Sequence, residues 1–181
     1  MKIRNRGFEK VSKETFLKDV NLTEQDYNQI ILPVRKTQKS AGYDFSTPID
    51  ITLLPGESKV IPTGIKAYML DDEYLSIYIR SSVGTKKDVI LKNQVGIIDA
   101  DYYNNSGNEG HILIAIRNIG NNVFEAKKGD AIAQGIFQKY LTVDEDVLPL
   151  VQTAKVTKAY KYAMEMTERE LQQAVEGMYH N

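Results

Sequence analysis

The chain has no cysteine and no tryptophan, only two histidines among its 181 residues, and a formal net charge of −1. Without cysteine there are no disulfides and no thiolate metal sites, which suits an intracellular, cytoplasmic location. His111 and His180 have no Cys or His at ligand spacing, which argues against zinc. The balanced charge provides no general attraction to nucleic acid, so a polyanionic small molecule would need a local cluster of donors. No apolar run approaches membrane-spanning length, and Met1-Lys2-Ile3-Arg4-Asn5-Arg6 leads into no signal-peptide core. Repeats and low-complexity tracts are also absent. Prolines number five, so the punctuation of the chain falls mainly to its 12 glycines.

What is present is a series of short strand signals. Asp50 to Leu54 runs into Pro55-Gly56, and Lys59 to Pro62 runs into Thr63-Gly64, followed by Ile65 to Met69. Tyr74 to Ile79 alternates with period two, as do Ile112, Ile114 and Ile116. Many short strands at close spacing predict an all-β fold, a distorted β-barrel or jelly-roll-like single domain. The two ends differ from this middle. Ser12 is placed to cap a helix over residues 13 to 20, and Thr23 with Asp26 starts another turn. Near the C-terminus Tyr160 to Met166 alternates like a strand. Thr167-Glu168-Arg169-Glu170 then reads as a capping box. Leu171, Ala174, Val175, Met178 and Tyr179 follow on one face of an amphipathic helix. The expected organisation is a β domain over residues 1–151, with a helical insertion at about 13–27, and a strand–helix extension over 152–181.

Residues 93 to 102 combine an amide (Asn93), a turn glycine (Gly96), an apolar run, two acids (Asp99, Asp101) and a ring (Tyr102). Val95, Ile97 and Ile98 are expected to be buried, so that Asp99 emerges at a strand edge, held in place. A carboxylate there can orient a water, and a ring three residues on can lie against a sugar. A plain hairpin with solvated acids is the competing reading. Arg80-Ser81-Ser82 follows an apolar strand and offers hydroxyl and N–H groups to phosphate oxygens, or is a surface turn. Lys86, Lys87, Lys127 and Lys128 read as solvated faces.

Ala41-Gly42-Tyr43-Asp44, Arg80-Ser81-Ser82-Val83-Gly84, Asn93 to Tyr102 and Gly129-Asp130-Ala131-Ile132-Ala133-Gln134 occur in that order. From about Gly7 to Tyr140 the chain thereby resembles the trimeric dUTP pyrophosphatase family. The resemblance implies hydrolysis of dUTP to dUMP and pyrophosphate, with Mg2+ as cofactor and a homotrimer whose sites lie between subunits. It implies Asp99 as the base that activates water. Asn93 with Gly96, Ile97 and Ile98 corresponds to the uracil-reading edge, and Tyr102 to the ring against deoxyribose. Arg80, Ser81, Ser82 and Gln134 correspond to residues near the phosphates, with Ser81 the phosphate-contacting serine. Asp44 corresponds to an acid that holds metal-bound water. Two departures stand out. Ala131 replaces the usual arginine, leaving Asp101 or Asp130 short of a partner. The family's arginine- and glycine-rich arm with its phenylalanine is missing, because residues 152 to 181 contain a single glycine, Gly177, and no phenylalanine. The tail is expected to serve assembly rather than to act as a lid. A catalytically weak dUTP-binding relative that engages a regulatory protein, and a dCTP deaminase-like enzyme, are the alternatives. Neither nucleic acid nor membrane is an expected partner.

Overall fold

A computed structural model describes residues 4–18 and 22–146. The chain up to Leu141 forms one compact unit, and the residues from Thr142 belong to a second, described only to 146. The predicted strand at 160–166, the capping box at 167–170 and the helix after it lie outside the described residues.

The first unit is built from strands. They are β1 (Gly7–Lys10), β2 (Val34–Arg35), β3 (Tyr43–Ser46), β4 (Ile51–Leu53), β5 (Ser58–Pro62), β6 (Ile65–Tyr68), β7 (Glu73–Ile79), β8 (Val89–Leu91), β9 (Gly96–Asp99), β10 (Leu113–Asn118), β11 (Phe124–Ala126) and β12 (Ala131–Lys139). Three short helices interrupt them: α1 (Lys13–Phe16), α2 (Glu24–Asn28) and α3 (Ser81–Lys87). All strand pairing is antiparallel. A five-stranded sheet runs β2-β3-β12-β7-β9, and a three-stranded one runs β5-β10-β8. Two-stranded sheets join β1 to β6 and β11 to β4. This is the all-β, jelly-roll-like architecture that the strand spacing predicts. No helix among the described residues is long and apolar enough to cross a membrane.

The period-two signal decides which side chains form the core. Ile112, Ile114 and Ile116 are 1%, 2% and 0% exposed, whereas Leu113 between them is 51% exposed. Phe45, Leu75, Ile77 and Ala133 fill the centre of the five-stranded sheet, each large side chain worth about 1.5–3 kcal/mol of burial.

The N-terminal helix is shorter than predicted. Ser12 does cap it, accepting from the Thr15 N–H at 3.1 Å, but α1 ends at Phe16. So short a helix is marginal alone and depends on its contacts: Phe16 is fully buried, and the Thr15 hydroxyl donates to Glu109 at 2.6 Å. Thr23 and Asp26 form a reciprocal capping box at the start of α2. Lys128 is exposed, as expected of a solvated face, but is also paired: its Nζ lies 2.5 Å from the Asp26 carboxylate, itself 5% exposed. That ammonium, with the Thr23 hydroxyl, holds the Asp26 carboxyl below its ordinary pKa.

Candidate active site

The connection from β8 to β9, which belong to different sheets, turns at residues 92–95. Its left-handed residue is Gln94 (φ 62), not Gly96, which opens β9 instead. Gly96 is small for a different reason: a Cβ there would approach the Ile77 Cβ to 3.1 Å across the strand pair. β9 is an edge strand, with Gly96 opposite Ile77 and Asp99 opposite Tyr74. Its alternation sends Ile98 onto the core, while Ile97 points away and is 54% exposed; Val95 in the turn is 36% exposed. The expected burial of Val95 and Ile97 therefore fails, because Val95 lies in the turn and Ile97 on the face of β9 that points away from the core.

Two adjoining cavities lie along β9 and the turn before it, of about 290 and 80 Å3, and share Ile97, Ile98, Ile112 and Leu113 as walls. Asp99 and Tyr102 complete the larger, Asn93 and Gly96 the smaller. The structure thus brings six residues predicted for the site onto one slot. Asp99 does emerge at the strand edge, yet no side chain holds it: its exposed carboxylate makes no hydrogen bond or ion pair among the described residues. A carboxylate left bare at the mouth of an apolar slot keeps its lone pairs for water or ligand.

Tyr102 closes a 3-10 turn after Asp99 and is half-buried. Its hydroxyl donates to the His111 carbonyl at 3.2 Å and accepts from Asn108 Nδ2 at 2.7 Å. The loop back to β10 is built from amide side chains. Asn105 Oδ1 accepts from the N–H of Gly107 and of Asn108, and Asn105 Nδ2 donates to the Tyr102 carbonyl. Glu109 fastens this loop to the N-terminal segment, accepting from the Ser12 N–H and hydroxyl, the Thr15 hydroxyl and Lys66 Nζ. The hydroxyls of Ser12 and Thr15, then the Ser12 N–H, pull its carboxyl down to about 2. Asn108 and Glu109 are supports that the sequence reading missed. The signal was the density of Asn and Gly between Tyr103 and Gly110, which marks a loop built on side-chain-to-backbone bonds.

The remaining predicted residues form a second cluster. Asp44 on β3, Gln134 on β12 and Tyr78 on β7 stand in one row across the sheet. Arg80, just past β7, puts Nε 3.2 Å from Asp44 Oδ1 and donates from a terminal nitrogen to the Ala131 carbonyl at 3.3 Å. Gly42 has no side chain because a Cβ would come within 2.5 Å of Gln134 Oε1. Ser81 and Ser82 are exposed at the start of α3 and make no side-chain bonds among the described residues. Asp130, next to Ala131 in the chain, has a partner, because its carboxylate accepts from the Lys127 N–H at 2.8 Å. Asp101 has none among the described residues.

Among the described residues no group of three or more His, Cys, Asp or Glu side chains converges to hold a metal ion. The half-buried Asp44 carboxylate is oriented by Arg80, and fits the role of binding the water shell of a cation that arrives on phosphate oxygens.

The described residues thus combine an all-β, jelly-roll-like domain with an apolar slot beside an unbonded carboxylate and a separate group of Asp44, Arg80 and Gln134. The sequence matches the dUTPase family over residues 28–165. It is 43% identical over 146 residues to the deoxyuridine 5'-triphosphate nucleotidohydrolase of Lactococcus lactis, covering 81% of this chain and 89% of that protein. The Haemophilus influenzae protein of the same name is 38% identical over 113 residues, 61% of this chain and 71% of the relative. Among solved structures, the dUTPase from Streptococcus mutans superposes with a TM-score of 0.63 at 36% identity, over 76% of this chain and 98% of that one. A variant of the dUTPase from phage phi11 of S. aureus, described with a structural Mg(II) ion, shares the fold at 18% identity (TM-score 0.60, 80% of this chain and 97% of that one). The chain belongs to the dUTPase family.

Proposed function

We propose that the protein hydrolyses dUTP to dUMP and pyrophosphate, with Asp99 as the base. The observation that supports this best is the unbonded Asp99 carboxylate lining the same cavity as Tyr102 and the Ile97–Ile98 edge. Uracil enters between the β9 backbone and Leu113, where the edge from Asn93 to Ile98 reads it, and deoxyribose rests against Tyr102. Asp99 takes a proton from a water held beside it. The water oxygen forms a bond to the α-phosphorus as the bond to the bridging oxygen breaks, and pyrophosphate leaves. A carboxylate is a weak base, so placing the water in line contributes as much as proton transfer. Mg2+ on the triphosphate would spread its charge, with Asp44 holding water of its shell and Arg80, Ser81, Ser82 and Gln134 facing the phosphate oxygens.

The geometry supports a site shared between copies of the chain. Asp99 is level with Tyr74, and Arg80 lies six residues further along the β7 line (80 − 74). At ~3.3 Å per residue that is about 20 Å. The α- and β-phosphates are joined by one oxygen, so a single copy cannot offer both Asp99 and the Arg80 cluster to one triphosphate. The proposed assembly is a homotrimer with each site completed by a neighbour, in the cytoplasm, without nucleic-acid or membrane partners.

Incubating the protein with dUTP or dCTP and Mg2+, then resolving products, tests this directly. The expected result is dUMP and pyrophosphate from dUTP alone. Release of dUTP from dCTP would replace the reading with deamination, and dUTP binding without turnover would replace it with a regulatory role. Mixing Asp99→Asn chains with Arg80→Ala chains should restore activity in mixed trimers. Failure of any mixture to recover would count against the shared site.

A further inference from the structure

We propose that Asn108 is the positioning residue that sets the Tyr102 ring, and through it the preference of the slot for a 2′-deoxy sugar. The inference rests on the reading of that slot as the nucleoside site. Asn108 does not line the cavity; it acts from behind the ring. Its Nδ2 donates to the Tyr102 hydroxyl at 2.7 Å, while the tyrosine's own proton goes to the His111 carbonyl at 3.2 Å. The tip of the ring is therefore tied on both sides, and a change of rotamer breaks two bonds.

The amide is itself immobilised. Oδ1 of Asn108 accepts from Asn105 Nδ2 at 2.9 Å and from the Gly110 N–H at 3.1 Å, so two donors settle which end of the amide faces the phenol. Its backbone N–H donates to Asn105 Oδ1 at 3.0 Å, and its carbonyl accepts from the His111 N–H at 3.0 Å. Glu109 next to it anchors the loop to Ser12, Thr15 and Lys66. Gly110 lets the loop close. It has φ +81, and a Cβ would sit 2.5 Å from the Tyr102 carbonyl oxygen.

A steric filter against a 2′-hydroxyl works only while the ring cannot yield. Removing one neutral hydrogen bond from the phenol should lower the preference for dUTP over UTP by about three- to tenfold. The test compares kcat/KM on both nucleotides for wild type, Asn108→Ala, Asn108→Asp, Tyr102→Phe and the double variant Asn108→Ala/Tyr102→Phe. Asn108→Asp keeps the oxygen that closes the loop and replaces the donor to the phenol with an acceptor to which the phenol proton can turn. The expected result is a loss of preference in Asn108→Ala, a smaller loss in Asn108→Asp, a loss in Tyr102→Phe at least as large as in Asn108→Ala because both bonds go, and no further loss in the double variant beyond Tyr102→Phe. Equal losses on both nucleotides, or losses that add in the double variant, would overturn the inference and leave Asn108 as loop scaffolding. A readout free of turnover is the 19F signal of Tyr102 in 3-fluorotyrosine protein, assigned by its disappearance in Tyr102→Phe. It should shift or broaden in Asn108→Ala, and an unmoved signal would remove the positioning role alone. A wild type inactive on dUTP would overturn the underlying reading and the sugar preference with it.

Discussion

Two carboxylates ten residues apart, Asp99 and Glu109, are treated in opposite ways by this fold. Asp99 ends an edge strand and makes no bond among the described residues. Glu109 ends a loop and is gripped by the N–H and hydroxyl of Ser12, the hydroxyl of Thr15 and the ammonium of Lys66. Those bonds pull the Glu109 carboxyl down to about 2. It is a structural joint between the N-terminal segment and the Tyr102 loop, and structural networks shift titrations as strongly as active sites do. The bare group is the one left able to act on a ligand.

The sharpest way to break this comparison is Asp99→Asn. If Asp99 acts on water, turnover should fall by about 10²–10⁴-fold. Calorimetric dUTP binding and the thermal midpoint should stay near wild type, since no protein bond is lost. Comparable turnover in the variant would remove Asp99 from the chemistry.

Arg80→Ala tests the other cluster. It removes the contact to Asp44 and one cation from the proposed phosphate side, and should reduce kcat/KM by about 10- to 100-fold, the value of one or two charge-assisted bonds. Retained kcat/KM would place that cluster outside the site. Tyr102→Ala opens the sugar side of the slot and should raise UTP activity relative to dUTP by about tenfold. An unchanged ratio in competition assays would put sugar selection elsewhere.

Glu109→Gln has the smallest effect on the chemistry and falls chiefly on stability, at about 2 kcal/mol for the weakened bonds to a charged acceptor. Because the folded pKa is depressed, the carboxylate stabilises the fold fully above pH 4.5 and loses that contribution as pH falls toward 2. Urea titrations should therefore show wild type and variant converging over that window. A constant gap would mean that Glu109 does not titrate as the joint requires.

Several of these features were legible in the residues. Ile112, Ile114 and Ile116 announced a strand with one buried face, and the caps at Ser12 and Thr23 were readable because a cap is a local bond between near neighbours. Asp99 and Tyr102 stood out by their place after an apolar run. The burial of Val95 and Ile97 was misread because alternation says that faces differ, not what covers them. Packing across the sheet face does that, and Ile97 lies on the outward face of β9 while Val95 sits in the turn before it. The pairing of Lys128 with Asp26 was not legible, because the two are 102 positions apart in the chain. The roles of Asn108 and Glu109 were hidden for the same reason, since the identity of a loop residue does not reveal which distant group it meets.

By itself, then, the sequence determined the local alternation, the turns, the capping bonds and the presence of an acid, a ring and an Arg-Ser-Ser segment, all set by neighbours along the chain. Tertiary structure alone decided that Asp99 is left bare and Glu109 saturated. It also placed Asp99 and Arg80 toward opposite ends of β7, because those outcomes depend on which strands pair and which side chains then meet across long separations.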